Sequence, residues 1–417
     1  MKSDQSHSHS SPGIRIAHVA NLARRGGLEI RLVEYLRHRR RDRFQHSVVA
    51  TAIHSELAHC LETAGVPVYT PPRHLQFDPA AFVHLVRHLQ AARYHIIHGR
   101  NDAGHIWGVM AGAIAGTPVL IGGEHGTVWS LRGWKRFAEV NLYPRFTAVI
   151  ANSIATKEMI LSRRPCRTDR IRVIYDGIDP TPYEMLPARA VARKRLGLPE
   201  DGPVVAAAGR MDTEKAFHVA IQSWRIVTSR LPNARLVIAG AGPLLDDLRR
   251  LARELEMQDR IHFPGFLDDI TDLYGCADLV LSTSLRETLG NTLIEAGLAG
   301  LPVIAPAVDG IPEVVEDGVT GILLEPDRLP SRPRTAEARP LPSAVIRHGR
   351  LFPPRALDPG LLGEVTAALL AQPDRCRAMG AAGRRLAMRR FSLDRYIEEL
   401  ETCYEECAGA AGVNHGG

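Results

Sequence analysis

Glu287 and Glu295 stand on either side of a polar turn, Thr288 to Asn291, and of the start of an apolar helical stretch, LIEAGLA, that ends at Gly300-Leu301-Pro302. Asn291 and Thr292 offer side chains able to cap that helix. Glu287 is therefore expected in the loop before it and Glu295 on its first or second turn. Acids so spaced span roughly 12 Å along an ideal helix axis. The amides between them, at Leu289, Gly290, Asn291 and Thr292, include first-turn donors without intrahelical partners, and the helix dipole favours negative charge there. Amides suit phosphate and carboxylates suit hydroxyls. The combination fits a ligand with phosphates in its middle and hydroxyl-rich rings at both ends, such as a nucleotide sugar. A surface helix with two solvated acids would present the same spacing.

A second cluster could meet the same anion. In Gly209-Arg210-Met211-Asp212-Thr213-Glu214-Lys215, Arg210 supplies a planar fork and Lys215 a point charge. Together they could neutralise a diphosphate leaving group without a metal ion; a solvated charged loop is the plainer alternative. Gly26 and Gly27 lead straight into a helix, where missing side chains let backbone approach a ligand, or simply make a turn. His125 follows an apolar run, in Gly122-Gly123-Glu124-His125-Gly126. Gly240-Ala241-Gly242-Pro243 lacks the third glycine of a dinucleotide loop, and no suitable acid follows about 20 residues on, so a dinucleotide is rejected.

From Glu287 through GLPVIAPAVDGIPEVVEDGVTG, the acids, glycines and Pro-Glu-Val-Val turn follow one another in an order that resembles the signature of retaining GT-B glycosyltransferases, family 4 (the glycosyl transferases group 1). The likeness runs from Gly26 to Tyr404, apart from 326–359. It implies a GT-B fold: two Rossmann-like doubly wound α/β domains facing each other across a cleft. Further, it implies Arg210 and Lys215 on the donor diphosphate, with Gly26 and Gly27 reaching the phosphates through their backbone. Glu287 would hold the transferred sugar's hydroxyls, Glu295 the ribose, and His125 would lie near the transferred sugar or acceptor. An acceptor hydroxyl would attack on the face the leaving group departs from, and the diphosphate would take its proton. No cofactor and no metal are expected, and the donor is UDP- or GDP-linked. Gly265-Phe266-Leu267-Asp268 would meet the base without deciding which. The chain departs from the pattern at Thr288-Leu289, where Gly-Phe is commoner, and at Ala216, where Gly usually follows the lysine. A nucleotide-sugar epimerase of the same architecture, or a catalytically silent nucleotide-sugar-binding subunit, is the alternative.

The elements that must carry these residues alternate along the chain. Apolar runs at 14–20, 46–51, 66–70, 95–99, 118–123, 147–153 and 172–177 alternate with amphipathic stretches. The pattern restarts at 203–210, 235–242, 260–266, 278–284, 302–306 and 321–325. Strand–helix alternation predicts two parallel sheets whose ligands lie at the strands' carboxyl ends. The expected division is a polar disordered leader (1–13), an acceptor-binding domain (14–184) and a donor-binding domain (200–389). The residues joining the two domains are rich in proline and charge, and the last helix (391–408) is expected to cross back to the first domain. Segment 326–359, dense in proline and arginine, reads as an insertion, a mobile loop rather than a binding element. The relatives run almost directly across this point.

Composition bounds the rest. A 45% hydrophobic and 24% charged chain of 417 residues, with net charge +6, is a globular protein of two or three domains. No apolar run reaches the ~20 residues of a membrane span, and no nucleic-acid-binding module is visible. Six cysteines, scattered singly except for Cys403 and Cys407, suggest neither a disulfide framework nor a zinc site, so a reducing cytoplasm is expected. Trp129, Trp134, Lys135 and Arg136, with the basic run Arg37 to Arg43, suit an anionic membrane surface. A peripheral enzyme of the inner membrane face acting on a sugar, lipid-linked or polysaccharide acceptor is the expectation; an internal packing role for the tryptophans is the alternative.

Overall fold

A computed structural model describes residues 13–23, 26–40, 43–73, 78–100, 104–126, 137, 140–331, 335 and 337–413. Outside the described residues lie the expected leader up to Pro12, Arg41 and Asp42, the tryptophan-bearing segment 127–136, and Arg332 and Arg334. The chain divides into two compact units. The first holds 1–152, 160–174 and 396–417, the second 153–159 and 175–395.

In the first unit, β1 (Ile14–Leu22), β2 (Phe44–Ile53), β3 (Val68–Tyr69), β4 (Ile96–Gly99), β5 (Val119–Glu124), β6 (Ala148–Ala151) and β7 (Ile171–Val173) form one sheet. Its order is β3-β2-β1-β4-β5-β6-β7, and every pairing is parallel. In the second unit, β8 (Val204–Ala208), β9 (Arg235–Ala239), β10 (Ile261–Gly265), β11 (Leu279–Leu281), β12 (Val303–Pro306) and β13 (Gly321–Leu324) pair in the order β10-β9-β8-β11-β12-β13. Each apolar run read from the sequence is a strand. Both orders reverse beside their first strand, which puts a topological switch point between β1 and β4 and another between β8 and β11.

The second sheet is covered on both faces, and its side chains divide with period two. Val204, Ala206, Val237, Val280, Val303 and Ala305 enter one core. Val205, Ala207, Leu236, Ile238, Leu279 and Ile304 enter the other. Burial on both faces explains why these strands read as unbroken apolar runs rather than alternating ones. Helix Asn291–Leu298 packs its back on helix Pro373–Arg390, where a Cβ on Gly297 would stand 3.2 Å from the Ala387 Cβ. Trp224, fully buried, anchors helix Phe217–Arg230 against the sheet.

Two parts of the sequence reading change. The Pro- and charge-rich stretch read as joining the domains lies inside the second unit, where Tyr183, Ala192, Leu196 and Leu198 enter its core. These apolar residues are too sparse to show a period. The segment read as a mobile loop contains an antiparallel hairpin, β14 (Val345–Arg347) and β15 (Arg350–Phe352), with Val345 and Ile346 buried. Only a short apolar run, Ala344-Val345-Ile346, marks it among the prolines and arginines.

The last helix, Leu393–Ala410, belongs to the first unit from Tyr396 onward. Beneath it lies a polar core. His18 Nε2 and His46 Nδ1 are 2.9 Å apart, a 2.6 Å hydrogen bond joins His98 Nδ1 to the Tyr404 hydroxyl, and Arg100 donates to the Tyr396 hydroxyl at 2.9 Å. Burial pushes all three imidazoles down, aided by the Arg100 charge, His46 to about 3.

Candidate active site

The switch point of the second sheet gathers Arg210, Lys215 and Glu287. β8 ends at Ala208, and the loop after it carries Gly209, Arg210 and, in a single 3₁₀ turn, Thr213 to Lys215. β11, its neighbour, ends at Leu281 and leads to Glu287. The Lys215 ammonium is in direct ion-pair contact with Oε2 of Glu287, both side chains being about one-fifth exposed. The Ser284 hydroxyl lies 3.4 Å from the same oxygen, and Thr283 Oγ1 donates to the Lys215 carbonyl at 2.8 Å.

The loop geometry accounts for its small residues. The Lys215 stem lies flat over Gly209, whose φ of 149° few side chains tolerate and whose Cβ would meet Lys215 Cε at 2.9 Å. Ala216 adopts the left-handed conformation, φ 45°, which costs a non-glycine residue roughly 1 kcal/mol. The turn is therefore kept here at some strain. Gly240 and Gly242 serve packing: any Cβ there would overlap the carbonyl oxygens of Gly209 and Met211. Arg210 is exposed on the same loop.

Helix Asn291–Leu298 begins differently from the expectation. Its N-cap is Gly290 in the left-handed region (φ 101°), with no side-chain cap. Asn291 and Thr292 are its first two residues and do not cap it, because the tight left-handed entry puts them past the cap position. The first-turn amides consequently have no side-chain acceptor at the cap, and Leu289 is buried beneath the turn. Asn291 Oδ1 is buried without a hydrogen-bond partner among the described residues. Glu295 is 8% exposed and accepts from the Tyr274 hydroxyl at 3.1 Å. Tyr274 was not singled out from the sequence; it reads as one more apolar-face residue of helix Thr271–Cys276.

Glu287 is also held from behind by Asp309, likewise missed. The Glu287 N–H donates to Asp309 Oδ2 at 3.0 Å, and the Glu287 carbonyl accepts from the Gly310 N–H at 3.0 Å. Asp309 is 5% exposed, and burial pushes its carboxyl up to about 7; the two backbone N–H groups it accepts from and nearby Arg286 oppose that shift, while Glu287 adds to it.

In the first unit, Gly26 is the N-cap of helix Gly27–His38. A Cβ there would meet Glu29 Oε2 at 2.6 Å, so a carboxylate of the chain folds over this helix start. His125 is half-buried just past β5. A Cβ on Gly123 would lie 2.9 Å from His98 Nε2 and 3.6 Å from His125 Nε2, so both rings flank that glycine. The strand end is fixed from below. Fully buried Glu124 accepts from the Tyr143 hydroxyl at 2.9 Å and lies 3.4 Å from His105 Nδ1, while His105 Nε2 is 3.1 Å from the Gly123 carbonyl. Among the described residues, no three side chains of the metal-ligating types gather as a metal site would need. No helix among them is long and apolar enough to cross a membrane.

Two Rossmann-like parallel-sheet domains, the second carrying acids and cations at its switch point, define the class as a GT-B protein. The chain belongs to the group 1 glycosyltransferases: residues 188–330 match the family "Glycosyl transferases group 1", and residues 25–182 match "Glycosyltransferase Family 4". D-inositol 3-phosphate glycosyltransferase of Salinispora tropica is 32% identical over 274 residues, 62% of this chain and 50% of that protein. Its Mycolicibacterium smegmatis counterpart is 35% identical over 184 residues, 42% of this chain and 41% of that one. The chain thus matches half or less of the length of these relatives. Anabaena HepE, solved with UDP and glucose, superposes with a TM-score of 0.78 at 22% identity, covering 94% of this chain and 99% of that one. Sucrose-phosphate synthase of Thermosynechococcus elongatus gives 0.69 at 20% identity, covering 95% of this chain and all of that chain.

Proposed function

We propose that the protein is a retaining, metal-independent glycosyltransferase that moves a sugar from a nucleotide-diphosphate donor to an acceptor hydroxyl. The observation that carries this is the meeting of Lys215 and Glu287 at the β8–β11 switch point, where open α/β sheets bind ligands. With donor bound, Lys215 turns from Glu287 to the diphosphate, and Glu287 to the sugar hydroxyls. Arg210 and the amides of Leu289, Gly290, Asn291 and Thr292 take up negative charge as the bond from the anomeric carbon to the β-phosphate oxygen breaks. The acceptor oxygen forms the new bond on the same face, and its proton passes to the departing phosphate. Glu295, oriented by Tyr274, holds the ribose.

HepE was solved with UDP and glucose, which makes UDP-sugars the first donors to test. The named relatives act on D-inositol 3-phosphate, which makes inositol phosphates the first acceptors, beside sugar, lipid-linked and polysaccharide precursors on an anionic membrane face. The test is a panel of nucleotide sugars read by thermal stabilisation and then by mass spectrometry of the products. A ligand at 100 times its Kd adds ~2.7 kcal/mol. Slow donor hydrolysis, or transfer with retained anomeric configuration, is the expected result. Conversion of the donor without acceptor to an isomeric nucleotide sugar would instead make the protein an epimerase, and binding without any turnover a silent subunit.

A further inference from the structure

We infer that the hairpin β14–β15 is a positioning element for the donor site, and that Asp309 is the clasp that fastens it to the main chain of Glu287. The inference rests on the reading of Glu287 and Lys215 given above. The match to the group 1 family ends at residue 330, before the hairpin begins.

The clasp is two-sided. The Asp309 N–H donates to the Ile346 carbonyl at 2.8 Å, and the Ile346 N–H returns to Asp309 Oδ1 at 2.6 Å. The other carboxylate oxygen takes the Glu287 N–H at 3.0 Å. One buried side chain thus bridges a strand of the insertion and the acid that faces Lys215. It does so from a left-handed backbone, φ 45°, which any non-glycine residue adopts at a cost. A buried carboxylate in a strained conformation is expensive on both counts. The compensation visible here is two backbone donors, Ile346 N–H buried and Glu287 N–H part-buried; a buried donor left unpaired costs about 1–3 kcal/mol.

The stretch before the hairpin grips the cationic loop in the same way. The Arg339 N–H donates to Asp212 Oδ1 at 2.8 Å, and Thr213 Oγ1 donates to the Arg339 carbonyl at 2.5 Å. The Arg339 guanidinium reaches Glu214 at 3.4 Å, and Glu214 pairs with Arg286 at 2.8 Å. Asp212, Thr213 and Glu214 directly precede Lys215, and Arg286 directly precedes Glu287. The insertion therefore holds the residues that flank Lys215 through their side chains, and the main chain of Glu287 through Asp309. Through Asp309 its role is to fix where the sugar-facing carboxylate stands, with nucleotide binding left to Arg210, Lys215, Glu295 and the helix start.

The test compares Asp309→Asn, which keeps one acceptor, with Asp309→Gly, whose backbone takes this conformation without strain and so guards against misfolding. In the full chain both are expected to lower donor turnover at least ~10-fold, the loss of one buried hydrogen bond to the reacting geometry, with the Kd for UDP within about twofold of wild type. Hydrogen exchange at the amides of residues 285–291 should rise at least ~10-fold in both. Wild-type turnover in either variant, or UDP affinity lost in proportion to turnover, overturns the inference. So does unchanged exchange at those amides, even if the wild type turns over no nucleotide sugar. A wild type that turns over no nucleotide sugar, with exchange raised in both variants, would overturn the functional reading and not the clasp.

Discussion

The Lys215 ammonium and the Glu287 carboxylate, 72 residues apart in sequence, form an ion pair at the switch point of the second sheet. Each holds the other where a ligand would otherwise do so. Lys215→Ala is expected to weaken UDP binding ~10- to 100-fold, the value of a charge-assisted hydrogen bond. Glu287→Gln should cut turnover ~100-fold and leave UDP affinity close to wild type. Since each single variant strands the partner's charge, the double variant should lose less than the sum. Calorimetry with UDP and steady-state donor turnover measure all three; additive losses would mean the pair is not one unit.

Glu295→Ala is expected to weaken UDP at least ~10-fold. Tyr274→Phe, which removes only the hydroxyl that donates to Glu295 at 3.1 Å, should weaken it about threefold to tenfold. If Tyr274→Phe costs as much as Glu295→Ala, the tyrosine has a direct part that its position under the carboxylate does not give it.

Asp309 sets an acid limb. Its carboxyl, raised to about 7, faces Arg286, Glu287 and the backbone of Ile346. As pH falls through about 7, protonation turns one acceptor oxygen into a hydroxyl and loosens one of the two N–H contacts, so turnover should fall. In Asp309→Gly that limb should vanish from the pH profile. Stability moves the opposite way. The folded pKa lies above the unfolded one, so this residue's contribution is present below about 4 and lost as pH rises through about 7. The melting temperature of Asp309→Asn relative to wild type should therefore climb between pH 5 and pH 8. A pH-independent difference would falsify the assignment.

The first unit has the reverse sign. His18, His46 and His98 are buried with their pKa values lowered, chiefly by desolvation. Their contribution is present above pH ~6.5 and declines below it, by about 1.4 kcal/mol per ring at pH 5.5. Urea melts of the whole chain should show a clear loss between pH 7.5 and 5.5, and amide exchange should place it around β1, β2 and β4. A flat profile across that range would rule out neutral burial of the three rings.

His125→Ala should lower sugar transfer at least ~10-fold with UDP affinity unchanged, as expected of a group serving the sugar or acceptor and not the nucleotide. Equal loss of UDP binding would reassign it to the donor phosphates.

The sequence by itself determined the strands and the loops that carry the candidate site residues. Runs such as Val204–Ala208 and Val303–Pro306 are buried on both faces, so their apolar character is unbroken and local. The glycines at 209, 240 and 290 sit where backbone conformation or close approach demands them, and such demands also leave a mark on neighbouring residues. Glu287, Glu295, Arg210 and Lys215 were legible because their spacing from those glycines is fixed within one loop and one helix turn.

Only the tertiary structure decided which of them meet. The Lys215–Glu287 pair joins loops after two strands that neighbour in space, and the hydrogen bonds of Asp309 to Glu287 and Ile346 run 22 and 37 residues along the chain. A loop aspartate whose work is to accept backbone N–H groups looks like any other loop aspartate, since the partner amide is present at every residue but proline. The histidines beneath the last helix were equally silent, because three strands and a helix from the far end of the chain must assemble before they touch. The hairpin was hidden for a related reason: its few apolar residues are outnumbered by prolines and arginines, and its partners Asp309 and Glu325 lie more than twenty residues away in the chain.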